Sequence, residues 1–200
     1  MPQFNPLCKT EVRSTNPEME SVRIVEVGPR DGLQNESGTV PTEDKAQFIH
    51  LLADAGIREI EVTSFVHPKW VPRLADAGEL VASLEARDGT LYSALVPNMK
   101  GLERAIDSGM SRIAVFTSAS ETFNRKNINM GIGESIEVFG PVVEKALATG
   151  ISVRGYVSTC WICPYEGRIG RKKVAEVIGK LFDLGVDEVS VGDTIGGATP

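Results

Sequence analysis

The chain has 200 residues, of which 42% are hydrophobic, 24% charged and 6% aromatic. That composition excludes a disordered tail, a collagen-like repeat and a disulfide-stapled miniprotein. Lys and Arg number 21 against 27 Asp and Glu, a net charge of −6, which argues against general binding to nucleic acid or to an anionic membrane and leaves room for one phosphate held by local cations. The cysteines are Cys8, Cys160 and Cys163. Their odd number and scattered positions do not make a disulfide framework. Cys160 and Cys163 have a C-x-x-C spacing but no second ligand pair, since the histidines are His50 and His67 alone, so the chain reads as reduced rather than zinc-bound.

In chain order, residues 1–20 come first. They are polar, carry Pro2, Pro6 and Pro17, and hold Glu11, Glu18 and Glu20. They lack the apolar stretch of a signal peptide, and their acids oppose a mitochondrial presequence. They are expected to form a flexible arm ahead of one domain, 21–200, with a bacterial-type cytoplasmic location. No run approaches the ~18 apolar residues of a membrane span.

Six β-rich runs follow, at about 22–27, 57–63, 90–96, 111–117, 151–157 and 187–191. Helical stretches separate them. Thr42 is the expected N-cap of the first helix, with Glu43 and Asp44 in its first turn and Phe48, Leu51, Leu52 and Ala55 at a 3–4 spacing. Pro141 inside 134–149 predicts a kink or a late start. Four helices share an ending: a Gly, an apolar residue, then the next strand. These glycines are Gly56, Gly109, Gly150 and Gly185, each read as a helix stop in the left-handed region. Alternating strands and helices imply a parallel sheet with right-handed crossovers. An open doubly wound sheet and a (β/α)8 barrel both fit, although no Gly-x-Gly-x-x-Gly turn follows strand one.

In such folds chemistry sits at the C-terminal ends of strands, and these ends are polar. Alternation puts Glu26 on one face with Val22 and Ile24, and Glu61 with Ile57 and Thr63. A carboxylate on a buried face must be paired or hydrogen-bonded, or must sit near a metal. A structural Glu–Arg pair and a site role both satisfy this. Arg30-Asp31 lies in a Gly- and Pro-bounded turn. An Arg there can grip a carboxylate or a thioester oxygen, and an Asp offers a hard oxygen to Mg2+ or Mn2+. Such turns also serve only to fix a loop.

Val25-Glu-Val-Gly-Pro-Arg-Asp-Gly-Leu-Gln-Asn-Glu36 resembles the first strand and loop of the 3-hydroxy-3-methylglutaryl-CoA (HMG-CoA) lyase family. Thr63-Ser-Phe-Val-His-Pro-Lys-Trp-Val-Pro72, Lys126-Asn-Ile-Asn129, Ser152-Val-Arg-Gly-Tyr-Val-Ser158, Cys163-Pro-Tyr-Glu-Gly167 and Gly192-Asp-Thr-Ile-Gly196 follow in the family's order. The resemblance covers about 22–200, and Pro29 points to the lyase branch over the related synthases.

The resemblance implies a TIM barrel, of which the chain supplies about six β/α units. It also implies a divalent-metal-dependent retro-Claisen cleavage of HMG-CoA to acetyl-CoA and acetoacetate. It makes Arg30, Glu61 and Asp193 the expected catalytic residues, and Arg30, Gln34, Glu26 and Asn127 the expected substrate-binding ones. Asn127, with Arg125 and Lys126 beside it, is expected to face the CoA moiety. Asp31 becomes the expected ligand of Mg2+ or Mn2+. An acyl-CoA is the implied partner, with no nucleic acid, no membrane and a homodimer left open.

The family's His-x-His metal ligands, its ligand Asn and its catalytic Cys in Gly-Gly-Cys-Pro-Tyr have no counterpart in these 200 residues. Cys163-Pro-Tyr matches the earlier, non-catalytic segment after strand five. Six units of an eight-unit plan read as the N-terminal portion of a longer lyase. The alternatives are a lyase for another 3-hydroxyacyl-CoA and a non-catalytic incomplete barrel.

Overall fold

The computed structural model describes residues 22–199, so the expected arm at 1–20 lies outside the described residues. The elements are β1 (Val25–Glu26), α1 (Thr42–Asp54), β2 (Glu59–Ser64), α2 (Ala77–Ser83), β3 (Leu91–Leu95), α3 (Met99–Asp107), β4 (Arg112–Ser118), α4 (Glu121–Ile128), α5 (Ile132–Ala148), β5 (Ser152–Ser158), β6 (Ile162–Cys163), β7 (Gly167–Arg168), α6 (Arg171–Asp183) and β8 (Glu188–Val191). Six strands form one parallel sheet in the order β1-β2-β3-β4-β5-β8, and β6 and β7 make a separate small antiparallel hairpin.

This order decides between the two architectures. A doubly wound sheet reverses its strand order at a switch point. Here each new strand adds to the same side as the last, as a barrel requires. Contacts on the inner face show that the sheet curls. Glu59 on β2 and Arg154 on β5 are three strands apart, about 14 Å in a flat sheet, yet Arg154 Nη2 lies 3.1 Å from Glu59 Oε1. The barrel reading holds: five β/α units and the strand of a sixth lie among the described residues.

The outer face of the sheet packs against the helices. Ile113, Val115, Val153 and Val157 meet Phe139, Val142, Val143, Val177 and Leu181 from α5 and α6. Ile60 and Val62 meet Ile49 and Ala53 of α1 in a second cluster. No helix among the described residues is long and apolar enough to cross a membrane.

All four predicted glycine stops have positive φ: Gly56 at 98°, Gly109 at 79°, Gly150 at 79° and Gly185 at 98°. Each is followed by an apolar residue whose N–H returns to the carbonyl five residues back: Ile57 to Leu52, Met110 to Ala105, Ile151 to Ala146 and Val186 to Leu181. That six-to-one bond satisfies a helix-end carbonyl and turns the chain into the strand.

Three local expectations need correction. Strand one was expected over 22–27, but it pairs only at Val25 and Glu26, and Val22 and Ile24 are exposed; it has a partner on one side alone. The N-cap position of α1 is Pro41, not Thr42. Thr42 is already helical and sends its hydroxyl to Asp76 Oδ2 at 2.7 Å, and Lys45 Nζ donates to both oxygens of the same carboxylate. Helix α5 starts early, at Ile132, and runs through Pro141 to Ala148. Burial of Phe139, Val142, Val143 and Ala146 on the sheet outweighs the one N–H that Pro141 lacks.

Gly109 has open space where a Cβ would stand, so Gly109→Ala should cost only the left-handed backbone strain, about 1–2 kcal/mol. Denaturant unfolding should show that loss, and Gly109→Asn should show less of it.

Candidate active site

Parity along β2 aims Glu59, Glu61 and Thr63 at the inner face, and all three are buried. Two layers of charge result. The lower layer lies toward the N-terminal ends of the strands. Glu59 Oε1 meets Arg112 Nε at 3.0 Å and Arg154 Nη2 at 3.1 Å. Glu188 Oε2 meets Arg112 Nη2 at 2.9 Å, and its Oε1 meets Arg154 Nη2 at 2.8 Å. Asp187 and Arg23 extend the network. Burial raises the Glu188 pKa, but Arg23, Arg154 and Arg112 outweigh it and leave the carboxyl below its ordinary value.

The upper layer holds the candidate site. The Gly- and Pro-bounded turn is a single wide helical turn, Gly28–Gly32. The Leu33 N–H closes it by donating to Gly28 O, and the Asp31 N–H donates to Val27 O at 2.7 Å. The Glu26 carboxylate accepts the Gly28 N–H at 2.6 Å. A Cβ on Gly28 would fall 2.9 Å from Glu26 Oε1, so that carboxylate would have to shift. The turn lifts Arg30 over the inner face, where its Nε donates to Glu61 Oε1. Arg30 Nη1 donates to Asp31 Oδ1 at 2.6 Å. Tyr156 on β5 donates its hydroxyl to Glu61 Oε2 at 2.9 Å, and its ring centroid lies 5.9 Å from Arg30 Cζ and 6.0 Å from Arg154 Cζ.

Exposure separates the parts. The Glu61 side chain is 1% exposed, Arg30 12% and Asp31 56%. Glu61 is thus a fixed anion inside the sheet, Arg30 the cation locked to it, and Asp31 the carboxylate that solvent reaches. Burial lowers the Arg30 pKa, but the charges of Glu61 and Asp31 and the Glu61 hydrogen bond overcome this and hold it above its ordinary value. Arg30 therefore stays cationic at every working pH. Burial and the adjacent Glu61 carboxylate push the Tyr156 phenol up to about 12, against a lowering by Arg154. Its hydroxyl remains a donor at neutral pH and completes the cradle of Glu61.

The structure brings Arg30, Asp31 and Glu61 into direct contact with one another, and the other expected site residues do not share those contacts. Glu26 is engaged with Gly28 N, as a brace for the turn. Asp193 binds its own loop, accepting Gly197 N at 3.0 Å and Ala198 N at 2.9 Å. Gln34 is half-buried just beyond the turn, and Asn127 is exposed on α4. Some polar strand ends belong to helix caps instead: Asn98 Oδ1 accepts Gly101 N at 3.1 Å, and Ser120 Oγ accepts Phe123 N at 3.0 Å.

Three residues escaped the sequence reading. Tyr156 shares a strand with Arg154 two residues away, and alternation alone aims both inward. Glu59 is two residues before Glu61, so the same parity argument finds it. Thr159 has φ 57°, uncommon for a β-branched residue; its N–H donates to Thr194 Oγ1 at 2.7 Å, tying the end of β5 to the Asp193 loop.

As a metal site these residues are a partial fit. Among the described residues no three His, Cys, Asp or Glu side chains group to hold an ion. Asp31 offers one exposed carboxylate, with Oδ1 engaged by Arg30. It suits one donor of a larger set. The two buried cysteines are free, and their thiols donate to Val157 O and to Ser120 Oγ, each at 3.0 Å.

The cradle has a pH signature. The Tyr156 pKa is raised on folding, so its contribution to stability is full below about 10, the unfolded value, and is lost as pH rises through about 12. Tyrosinate absorbance should show an ionisation near pH 12 that Tyr156→Phe removes. Glu61→Ala should destabilise by about 3 kcal/mol, because it strands the Arg30 charge; thermal or denaturant unfolding checks this.

Residues 21–200 match the HMGL-like family model. Mitochondrial hydroxymethylglutaryl-CoA lyase of Bos taurus is 51% identical over 181 residues, covering 90% of this chain and 56% of the bovine protein. The crystal structure of the HMG-CoA lyase from Brucella melitensis matches with a TM-score of 0.87 at 54% identity, over 90% of this chain and 63% of that one. An HMG-CoA lyase from Acinetobacter baumannii, solved in complex with coenzyme A and 3-methylmalate, matches with a TM-score of 0.84 at 35% identity, over 88% and 57%. The chain thus spans 56% of its bovine relative's length and 63% of the Brucella chain. On the strength of the model match along residues 21–200, the chain belongs to the HMGL-like family.

Proposed function

We propose that these residues form part of the active site of a carbon–carbon lyase that cleaves HMG-CoA to acetyl-CoA and acetoacetate. The observation that carries this is Arg30: a cation locked by a buried Glu61, at the C-terminal ends of the strands, in a chain about half identical to HMG-CoA lyases. The coenzyme A in the related Acinetobacter structure supports an acyl-CoA as substrate.

The chemistry follows from charge. The substrate's tertiary hydroxyl loses its proton, and the bond between C2 and C3 breaks. The oxygen's electron pair becomes the new ketone of acetoacetate. The bond's electron pair becomes the enolate of the thioester, which then takes a proton to give acetyl-CoA. Negative charge therefore moves onto the thioester oxygen. Arg30 spends Nε on Glu61 and Nη1 on Asp31, and its remaining Nη2 edge is left for that oxygen. A preorganised guanidinium needs no reorganisation as the charge arrives. Glu61 and Tyr156 hold the guanidinium plane, and Glu26 holds the turn that carries it.

Arg30, Asp31 and Glu61 together carry a net charge of −1, which favours a cation nearby. We assign Asp31 as one donor to Mg2+ or Mn2+, and a bound divalent ion would hold substrate oxygens and ease loss of the hydroxyl proton. Asp193 belongs to this reading through the loop that it braces, and Gln34 and Asn127 as outer contacts to the acyl-CoA.

In the full-length enzyme, acetoacetate release from HMG-CoA should depend on a divalent cation. Arg30→Gln should lower kcat by about 10²–10³-fold with a much smaller change in KM. Asp31→Ala should weaken Mn2+ binding, read by calorimetry, together with turnover. Unchanged Mn2+ affinity would remove Asp31 from the ligand set. No acetoacetate from HMG-CoA, with turnover of a branched analogue, would move the reading to another 3-hydroxyacyl-CoA.

A further inference from the structure

Helix α4 has eight residues, and only Asn124 among them is buried. A helix this short is not stable by itself, and it has little apolar area to anchor it. Its position depends on polar contacts. On one side Asn124 Nδ2 donates to Met130 O at 3.1 Å and to Ser135 Oγ at 3.3 Å. Ser135 in turn meets Thr117 Oγ1 of β4 at 2.8 Å.

The other side is held from 44 residues away, by the turn between β6 and β7. Glu166 Oε1 accepts the Thr122 N–H at 2.7 Å, one of the N-terminal donors that a helix cannot satisfy internally. The Cys163 thiol donates to Ser120 Oγ, the cap of the same helix, at 3.0 Å. Tyr165 completes the contact: its ring lies 6.3 Å from that of Phe123 and 4.3 Å below Lys126 Nζ. Glu166 Oε2 reaches Lys173 Nζ of α6 at 3.6 Å, so one carboxylate joins α4, the hairpin and α6. Burial raises its pKa, but hydrogen bonds from Thr122 and Ser120 and the Lys173 charge outweigh that and hold it down at about 2.

We propose that Glu166 is a positioning residue, which caps α4 from the hairpin turn and thereby sets the place of Lys126 and Asn127 for acyl-CoA binding. The substrate half of this rests on the function proposed above. The contact explains why Pro-Tyr-Glu follows Cys163 as a unit: Cys163, Tyr165 and Glu166 each touch α4 or its cap.

The test uses the full-length enzyme with Glu166→Ala, Glu166→Asp and Glu166→Gln. Loss of the contact in Glu166→Ala should raise KM for HMG-CoA about tenfold, the scale of a lost helix cap, with kcat within about twofold. Amide exchange over 121–128 should quicken by a similar factor while exchange over 132–148 stays put. Glu166→Asp keeps the charge but is one methylene too short and should behave like Glu166→Ala; it carries the test if the alanine variant does not fold. Glu166→Gln keeps an acceptor for Thr122 N–H and should recover most of the KM.

Unchanged exchange over 121–128 in a folded variant would overturn the positioning role. Faster exchange with unchanged KM would overturn its link to substrate, as would a fall in kcat alone. A wild-type enzyme that releases no acetoacetate from HMG-CoA would overturn the functional reading instead, and the exchange measurement would still decide the α4 contact.

Discussion

Charge on the inside of a curled parallel sheet has to be paired. Removing water from a lone carboxylate or guanidinium costs several kcal/mol, and β2 places both Glu59 and Glu61 in that position. Glu59 finds its partners across the curve, in Arg112 on β4 and Arg154 on β5, and Glu61 finds Arg30 in the turn after the neighbouring strand β1. The Glu59–Arg154 pair forms only if the sheet bends enough to bring strands three apart within reach. The Glu59 pairs and the curvature are therefore one constraint, and the inner face that they shape carries Glu61 and its partner Arg30.

The two layers have different partners and exposures. In the lower layer the Glu59 side chain is 2% exposed, Arg112 5% and Arg154 4%, and each acid is matched by arginine. It lies at the end of the strands where stability, not chemistry, is the usual role. In the upper layer Arg30 is shared between a buried Glu61 and an exposed Asp31, so part of its charge faces outward. Tyr156 stands between the layers, hydrogen-bonded to Glu61 and stacked near both Arg30 and Arg154.

Above the sheet, order is supplied by polar contacts in place of apolar area. Helix α4 is capped by Ser120 and Glu166 and braced by Asn124. The Asp193 loop is tied by its own carboxylate and, through Thr194, to Thr159. Such contacts fix direction well, because a hydrogen bond weakens steeply as its angle opens. Segments that must be placed accurately at the mouth of a barrel, where little apolar packing is on offer, gain most from them.

The repeating unit and much of the site are legible in local residue patterns. The four glycines at helix ends were legible because left-handed backbone without a Cβ penalty is a local property of glycine. The strands at 57–63, 111–117 and 151–157 were legible because buried parallel strands are apolar and β-branched. Arg30 and Asp31 stood out in a turn, and Glu61 by parity on its strand. The closing direction of the sheet was not legible, because strand order depends on which strands pair and no residue encodes that locally. Nor was the choice of partner for each charge: Arg30 to Glu61 spans 31 positions and Glu166 to Thr122 spans 44. Asp193 and Glu26 looked equal to Glu61 as carboxylates at strand ends. Only the tertiary structure, by turning two of them onto backbone N–H groups and one onto a guanidinium, decided which of the three stands against the cation.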